Sequence, residues 1–162
     1  MAIDPVYEER TVEEMLESAG VENEDTLKFL AKNDYGFFLE HVLGLNTDSE
    51  LIQEAVDLVN EPPQQPGDAT KIAVMAPRGH SKTYSYTVGR ALYVAFTEQG
   101  KRIILTSASN TQSKSIMKKI KRIIERNELL GYLKPGNLED FESSMLQEDE
   151  DSWAATQIAT TS

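Results

Sequence analysis

The chain contains no cysteine and no long apolar run. Without thiols there can be no disulfide and no cysteine-ligated zinc. A bilayer-crossing helix requires roughly 20 apolar residues, and no stretch approaches that, so no membrane association is expected. The first residues lack the basic-then-apolar order of a secretory signal, which predicts a cytoplasmic protein. Basic residues are few: 16 Lys and Arg stand against 27 Asp and Glu, a net charge of −11. Such a surface is unusual for handling DNA, because phosphate contacts come from Lys and Arg. A salt-rich cytoplasm explains it, since acidic, lysine-poor surfaces stay hydrated where charge is screened within a few ångström. The preferred source is therefore halophilic, and the other reading is an ordinary acidic intracellular protein. The length of 162 residues suits one domain with a sizeable core, and no internal repeat is present.

Four regions follow from composition and periodicity. Residues 1–60 form an N-terminal helical segment. Within it, Thr11-Val12-Glu13-Glu14 is a capping box that starts a helix stopping by Gly20. A second helical region spans about 25–43 and breaks near Asp34-Tyr35-Gly36, with Tyr35 to Phe38 assigned to packing. Thr47-Asp48-Ser49-Glu50 is another capping box, launching a 51–60 helix with Leu51, Ile52, Ala55, Leu58 and Val59 inward. Residues 61–69 form a linker, since three prolines there cannot continue a helix. Residues 70–134 hold an αβ core. Residues 135–162 are an acidic tail, or the start of further core strands.

The core begins with Lys71-Ile72-Ala73-Val74-Met75, read as a buried strand, and leads into Ala76-Pro77-Arg78-Gly79-His80-Ser81-Lys82-Thr83. Val88, Ala91, Leu92, Ala95 and Phe96 then mark one helix face between Tyr84 and Phe96. Strand, tight loop, Lys-Thr and helix is the order that cradles a nucleotide's phosphates. Loop N–H groups and the helix N-terminus attract anionic oxygens, while the lysine neutralises the distal phosphates. On this reading Lys82 binds the β/γ-phosphates and Thr83 holds Mg²⁺, with Pro77, Arg78, Gly79, His80 and Ser81 completing the loop. The loop departs from G-x-x-x-x-G-K-[ST], because Ala76 and Ser81 stand at the glycine positions. The plainer alternative is an ordinary βα turn containing Lys-Thr.

Pro77 to Thr83 resembles the Pro-Arg-Gly-His-(small)-Lys-Ser/Thr loop of large terminase subunits, the ATPases that pump viral DNA into capsids. The resemblance covers about residues 35–130. It includes the carboxylate- and aliphatic-rich helix carrying Gln53, a second strand at Arg102-Ile103-Ile104-Leu105-Thr106, and a Ser107-to-Gln112 turn. A long helix follows, capped through Ser109 and Gln112 and ending near Asn127. The resemblance implies an α/β fold, a P-loop NTPase-type parallel sheet flanked by helices, here incomplete and preceded by the helical segment. It implies ATP and Mg²⁺ as cofactors, with catalytic roles for Arg78 and Lys82. Arg78 matches the arginine that acts on the γ-phosphate, and its alternative is a surface ion pair. Gln53 matches a glutamine that reads adenine, and its alternative is an exposed helix face. His80 is either a phosphate contact or a solvated loop residue. The implied partners are double-stranded DNA, the viral portal and capsid, the small terminase subunit and, in the full-length form, further copies of the chain; the implied location is the host cytoplasm.

One requirement is unmet. A P-loop ATPase needs an acid at the end of a further strand to organise Mg²⁺, and no apolar run after residue 112 ends in paired acids. No clustered nuclease aspartates appear either. The chain thus reads as the first portion of such an ATPase, with Trp153 to Thr160 beginning a strand that stops. Nucleotide binding is expected and turnover by the chain alone is expected to be poor. The alternatives are another P-loop enzyme, a helicase or a small-molecule kinase, and a truncated, non-catalytic remnant that binds nucleotide or a partner.

Charge is concentrated as well as scarce. Residues 101–126 hold eight cations against the single acid Glu125, a local balance of +7, so the remainder carries −18. Ile116, Met117, Ile120, Ile123 and Ile124 form the inward stripe there, leaving most cations outward. This face either tracks DNA or a neighbouring acidic surface, or is simply solvated.

Overall fold

The computed structural model describes residues 8–60, 83–98 and 103–133. Five substantial helices form: α1 (Val12–Ala19), α2 (Glu24–Asn33), α4 (Glu50–Asn60), α5 (Gly89–Thr97) and α6 (Asn110–Arg126). Between α2 and α4 a single turn, α3 (Tyr35–Phe37), runs into a wide π turn at Phe38–Val42. A second π turn, Thr83–Val88, leads into α5, and a 3₁₀ turn, Gly131–Leu133, follows α6.

The fold class anticipated above is corrected. Among the described residues there is no β-strand and no parallel sheet, and the architecture is helical. The one backbone pairing of β type is an isolated parallel bridge between Arg10 and Asn127. The second expected strand, Arg102 to Thr106, is irregular over its described residues 103–106, with Ile104 83% exposed. A short apolar run becomes a strand only when a neighbour completes its ladder, and its composition alone does not supply one. The other expected strand, Lys71 to Met75, lies outside the described residues, as do the linker and the acidic tail.

The helix signals fared better. Thr11 caps α1 with both reciprocal bonds of the capping box, Glu14 N to Thr11 Oγ1 at 3.2 Å and Thr11 N to Glu14 Oε2 at 3.0 Å. The break near residue 34 is a cap: Asp34 Oδ1 accepts from Gly36 N at 2.8 Å and from Asn60 Nδ2 at 3.2 Å. Asn60 Oδ1 in turn accepts from Tyr35 N at 3.0 Å, tying the start of α3 to the end of α4. The second capping box is not formed. Thr47 donates its hydroxyl to Glu40 Oε2 at 2.8 Å, and α4 starts at Glu50. The buried face of α4 is Ile52, Ala55 and Val56, while Leu58 is exposed. This rotates the predicted stripe, because α4 packs on both α3 and the Thr83–Val88 turn.

The core is built around aromatic rings from α3, the first π turn and α5. Tyr35 and Tyr93 meet edge-on at 4.9 Å, Phe38 lies 5.4 Å from Tyr93, and Phe38 lies 5.5 Å from Phe96. Edge-on and offset pairs of this kind add roughly 0.5–1.5 kcal/mol to the area they bury. Four phenols also find a backbone carbonyl on another element. Tyr35 donates to Ser85 O, Tyr93 to Lys32 O at 2.9 Å, Tyr86 to Leu51 O at 3.1 Å and Tyr132 to Phe96 O at 3.3 Å. Gly89 permits the close approach at the centre. A Cβ there would stand 2.6 Å from Tyr84 O, 2.8 Å from Leu39 Cδ2 and 2.8 Å from the Tyr35 hydroxyl.

The ends of the described chain are closed by Arg10 and Asn127. Arg10 N donates to Arg126 O at 2.9 Å and Glu128 N to Arg10 O at 3.0 Å. Asn127, buried, donates to Val42 O at 2.7 Å and accepts from Leu130 N at 3.1 Å. Arg10 Nη2 reaches His41 O at 3.0 Å, and its guanidinium packs under Gly44, whose φ of 70° would strain a larger residue. Burial pulls the Arg10 pKa down, and Glu14 and Glu8 oppose that shift.

Two predictions follow from this packing. Gly89→Ala should destabilise the fold by about 1–3 kcal/mol, the range for overpacking, read as a lower urea midpoint. Burial raises the pKa values of Tyr35, Tyr93 and Tyr132 above 10.0. The unfolded chain therefore ionises first, so stability is intact below about pH 10 and declines as pH rises from there. Thermal unfolding between about pH 9 and pH 11 should show that decline, with a shallower slope in Tyr35→Phe; an equally steep slope in the variant would contradict the assignment.

Candidate functional site

Of the residues assigned to a nucleotide, Thr83 and Gln53 are described, whereas Pro77, Arg78, Gly79, His80, Ser81 and Lys82 lie outside the described residues. Thr83 is half-buried and is the first described residue of a continuous helical stretch through the π turn and α5. The stretch predicted from apolar spacing is present: Val88, Ala91, Leu92, Ala95 and Phe96 are all buried. Its first turn is wider than an α-helix. Ser85 is fully buried there with its carbonyl engaged by Tyr35, and side-chain insertion of this kind commonly accompanies a π turn.

Gln53 is exposed on α4. Its Nε2 donates to Thr47 O at 2.9 Å, and Thr47 is in turn held by Glu40. An amide nitrogen carries two hydrogens and its oxygen two lone pairs, so capacity for a further partner remains. Two residues earlier, Leu51 O accepts from Tyr86, three positions after Thr83. The structure therefore brings the helix bearing Gln53 against the turn bearing Thr83. Sequence periodicity gave no sign of this tie. The signal that would have found it is the cluster of tyrosines at 84, 86 and 93, too polar for a plain core face.

The basic helix packs on the same turn. Lys119 Nζ lies 5.1 Å from the Tyr84 ring centroid, within cation–π reach. Its inward side is Ile120, Ile123 and Ile124, with Ile116 and Met117 half-buried, as the spacing indicated. Ser109 caps it, its Oγ accepting from Gln112 N at 3.3 Å. Burial lowers the Lys121 pKa, and Glu125 opposes the shift. Beside the N-terminal end of α6 lies an open groove of about 350 Å³, lined by Leu105, Thr106, Ser107, Asn110, Ser113, Lys114 and Met117. Among the described residues no cluster of His, Asp and Glu has the spacing to hold a metal, and no helix is long and apolar enough to cross a membrane.

If Gln53 reads a base, Gln53→Ala should weaken protection by ATP more than protection by inorganic triphosphate, while lowering urea stability by about 0.5–1.5 kcal/mol for the lost bond to Thr47 O. Differential scanning fluorimetry with both ligands makes the comparison. Equal loss for both would remove Gln53 from the base-reading role.

No protein-family model matches the chain, and no curated protein or solved structure matches it either.

Proposed function

We infer that the chain binds ATP with Mg²⁺ through Pro77 to Thr83, as the nucleotide-binding part of a terminase-like motor that drives DNA. The observation that carries this reading is the sequence Pro77-Arg78-Gly79-His80-Ser81-Lys82-Thr83 running directly into the helical stretch from Thr83. Lys82 supplies a compact cation for the distal phosphates, and the Thr83 hydroxyl supplies an oxygen of the kind Mg²⁺ prefers. Arg78 can fork onto γ-phosphate oxygens, where charge develops during transfer. The bond from Tyr86 to Leu51 adds support, because it keeps α4 and Gln53 beside that stretch.

What is proposed for the chain itself is anion binding, which the described helical architecture does not preclude. Its requirements are a loop that turns backbone N–H groups toward an anion, a cation next to it and a helix behind it. The acid that organises Mg²⁺ and positions the attacking water is not marked in the sequence. Hydrolysis is accordingly proposed only for an assembly that supplies such a group, and binding is proposed for the chain itself.

ATP–Mg²⁺ at a hundred times its Kd should stabilise the chain by about 2.7 kcal/mol, measured as a rise in Tm in high-salt buffer. Lys82→Ala should abolish the rise, and Thr83→Ala should remove its dependence on Mg²⁺. A Tm that does not respond to saturating nucleotide would refute the reading.

A further inference from the structure

Lys114, Lys118 and Arg122 recur every fourth residue along α6. That interval advances about 6 Å along the helix axis, so the three cations form a slowly turning line. All three are exposed, and among the described residues Lys114 and Lys118 have no ion-pair partner. Beside them Asn110, Thr111, Gln112 and Ser115 are also exposed, whereas no apolar residue of α6 is. The groove at the N-terminal end is of mixed character: Thr106 and Asn110 line it beside Leu105 and Met117, while the Ser107 and Ser113 hydroxyls are bonded to each other and to Ser109 O.

This composition separates two kinds of partner. A protein interface relies on aromatic or aliphatic anchors at its centre, and the exposed face of α6 from Lys114 to Arg122 offers none, the exposed Ile103 and Ile104 lying before the helix. Contacts to phosphate and sugar are made by Lys, Arg, Ser, Thr, Asn and Gln, the residue types present here. The concentration of charge adds a second argument. With −18 on the remainder of the chain, a polyanion is repelled elsewhere and favoured only along residues 101–126.

We propose that the outward face of α6, from Asn110 to Arg122, contacts the sugar–phosphate backbone of duplex DNA without reading its sequence. The choice of duplex DNA rests on the DNA-driving reading above. The location rests on the charge and donor pattern of the helix itself.

The test measures binding of a short random-sequence duplex to the full chain by fluorescence anisotropy, across salt concentrations that leave its far-UV spectrum unchanged. Each phosphate neutralised contributes about −0.9 to the slope of log K against log salt. The double variant Lys114→Gln/Lys118→Gln should therefore bind more weakly at low salt, with the slope reduced in size by about 2. Lys28→Gln on α2 should leave both quantities unchanged. An unaltered slope in the double variant, or no duplex binding by the parent chain at low salt, overturns the proposal. So does displacement of the duplex by poly-glutamate as effectively as by unlabelled DNA, which would make the partner an acidic protein. Nucleotide protection is followed in the same samples. Its absence with a slope change of about 2 sinks the ATP reading and keeps the surface, while its presence with an unaltered slope does the reverse.

Discussion

The missing side chain at Gly89 is the constraint on which the described structure turns. Because nothing projects there, the Tyr35 phenol passes beneath α5 and reaches Ser85 O inside the preceding turn. That bond satisfies a buried hydroxyl and a buried carbonyl together, each of which would cost about 1–3 kcal/mol if left alone. It also holds the Thr83–Val88 turn wide, since Ser85 O is directed to a phenol from another helix. With the turn held, Tyr86 is carried to Leu51 O and Tyr84 to the edge of α6. One close approach thus sets where α4, α5 and α6 stand around the residues that follow Lys82.

The far end of α6 is fixed separately. Arg10 exchanges backbone bonds with Arg126 and Glu128, on either side of Asn127, across more than a hundred residues of sequence, and Asn127 reaches on to Val42 O. Pinned there and by Lys119 on Tyr84, the helix cannot roll without taking Ile120, Ile123 and Ile124 out of the core. Burying those three side chains contributes on the order of 1.5–3 kcal/mol each. The orientation of the cations is therefore a consequence of apolar packing. Lys114, Lys118 and Arg122 face outward because the isoleucines face in.

The helices were legible because their signals are local. A capping box at Thr11, an Asp34 that ends one helix and begins the next, and apolar residues at three- and four-residue spacing each act within a few positions. The sheet was misread because strand identity is not local. Ile103 to Leu105 has the composition of a buried strand, but pairing is a property of a neighbour, and the described neighbours are helices. The capping box at Thr47 failed for a related reason, since Glu40 competes for its hydroxyl from outside the helix. For the candidate site, the chemistry of Lys82 and Thr83 could be read from residue types. The apposition of α4 to the Thr83 turn could not, because it depends on one tyrosine hydroxyl and a carbonyl 35 residues away.

Net charge and local charge act over different distances, so an acidic chain can take the anionic partner proposed above. At 1 M salt the screening length is about 3 Å, so the −18 carried by most of the chain stops repelling a polyanion at a distance. Contacts at hydrogen-bonding range outlast that distant repulsion, although each phosphate contact still weakens as salt rises. Long-range steering is lost at the same time, so encounter would be slow and selection would fall to the geometry of contact. A straight helix with cations about 6 Å apart, flanked by uncharged donors, suits that regime better than a diffuse basic surface would.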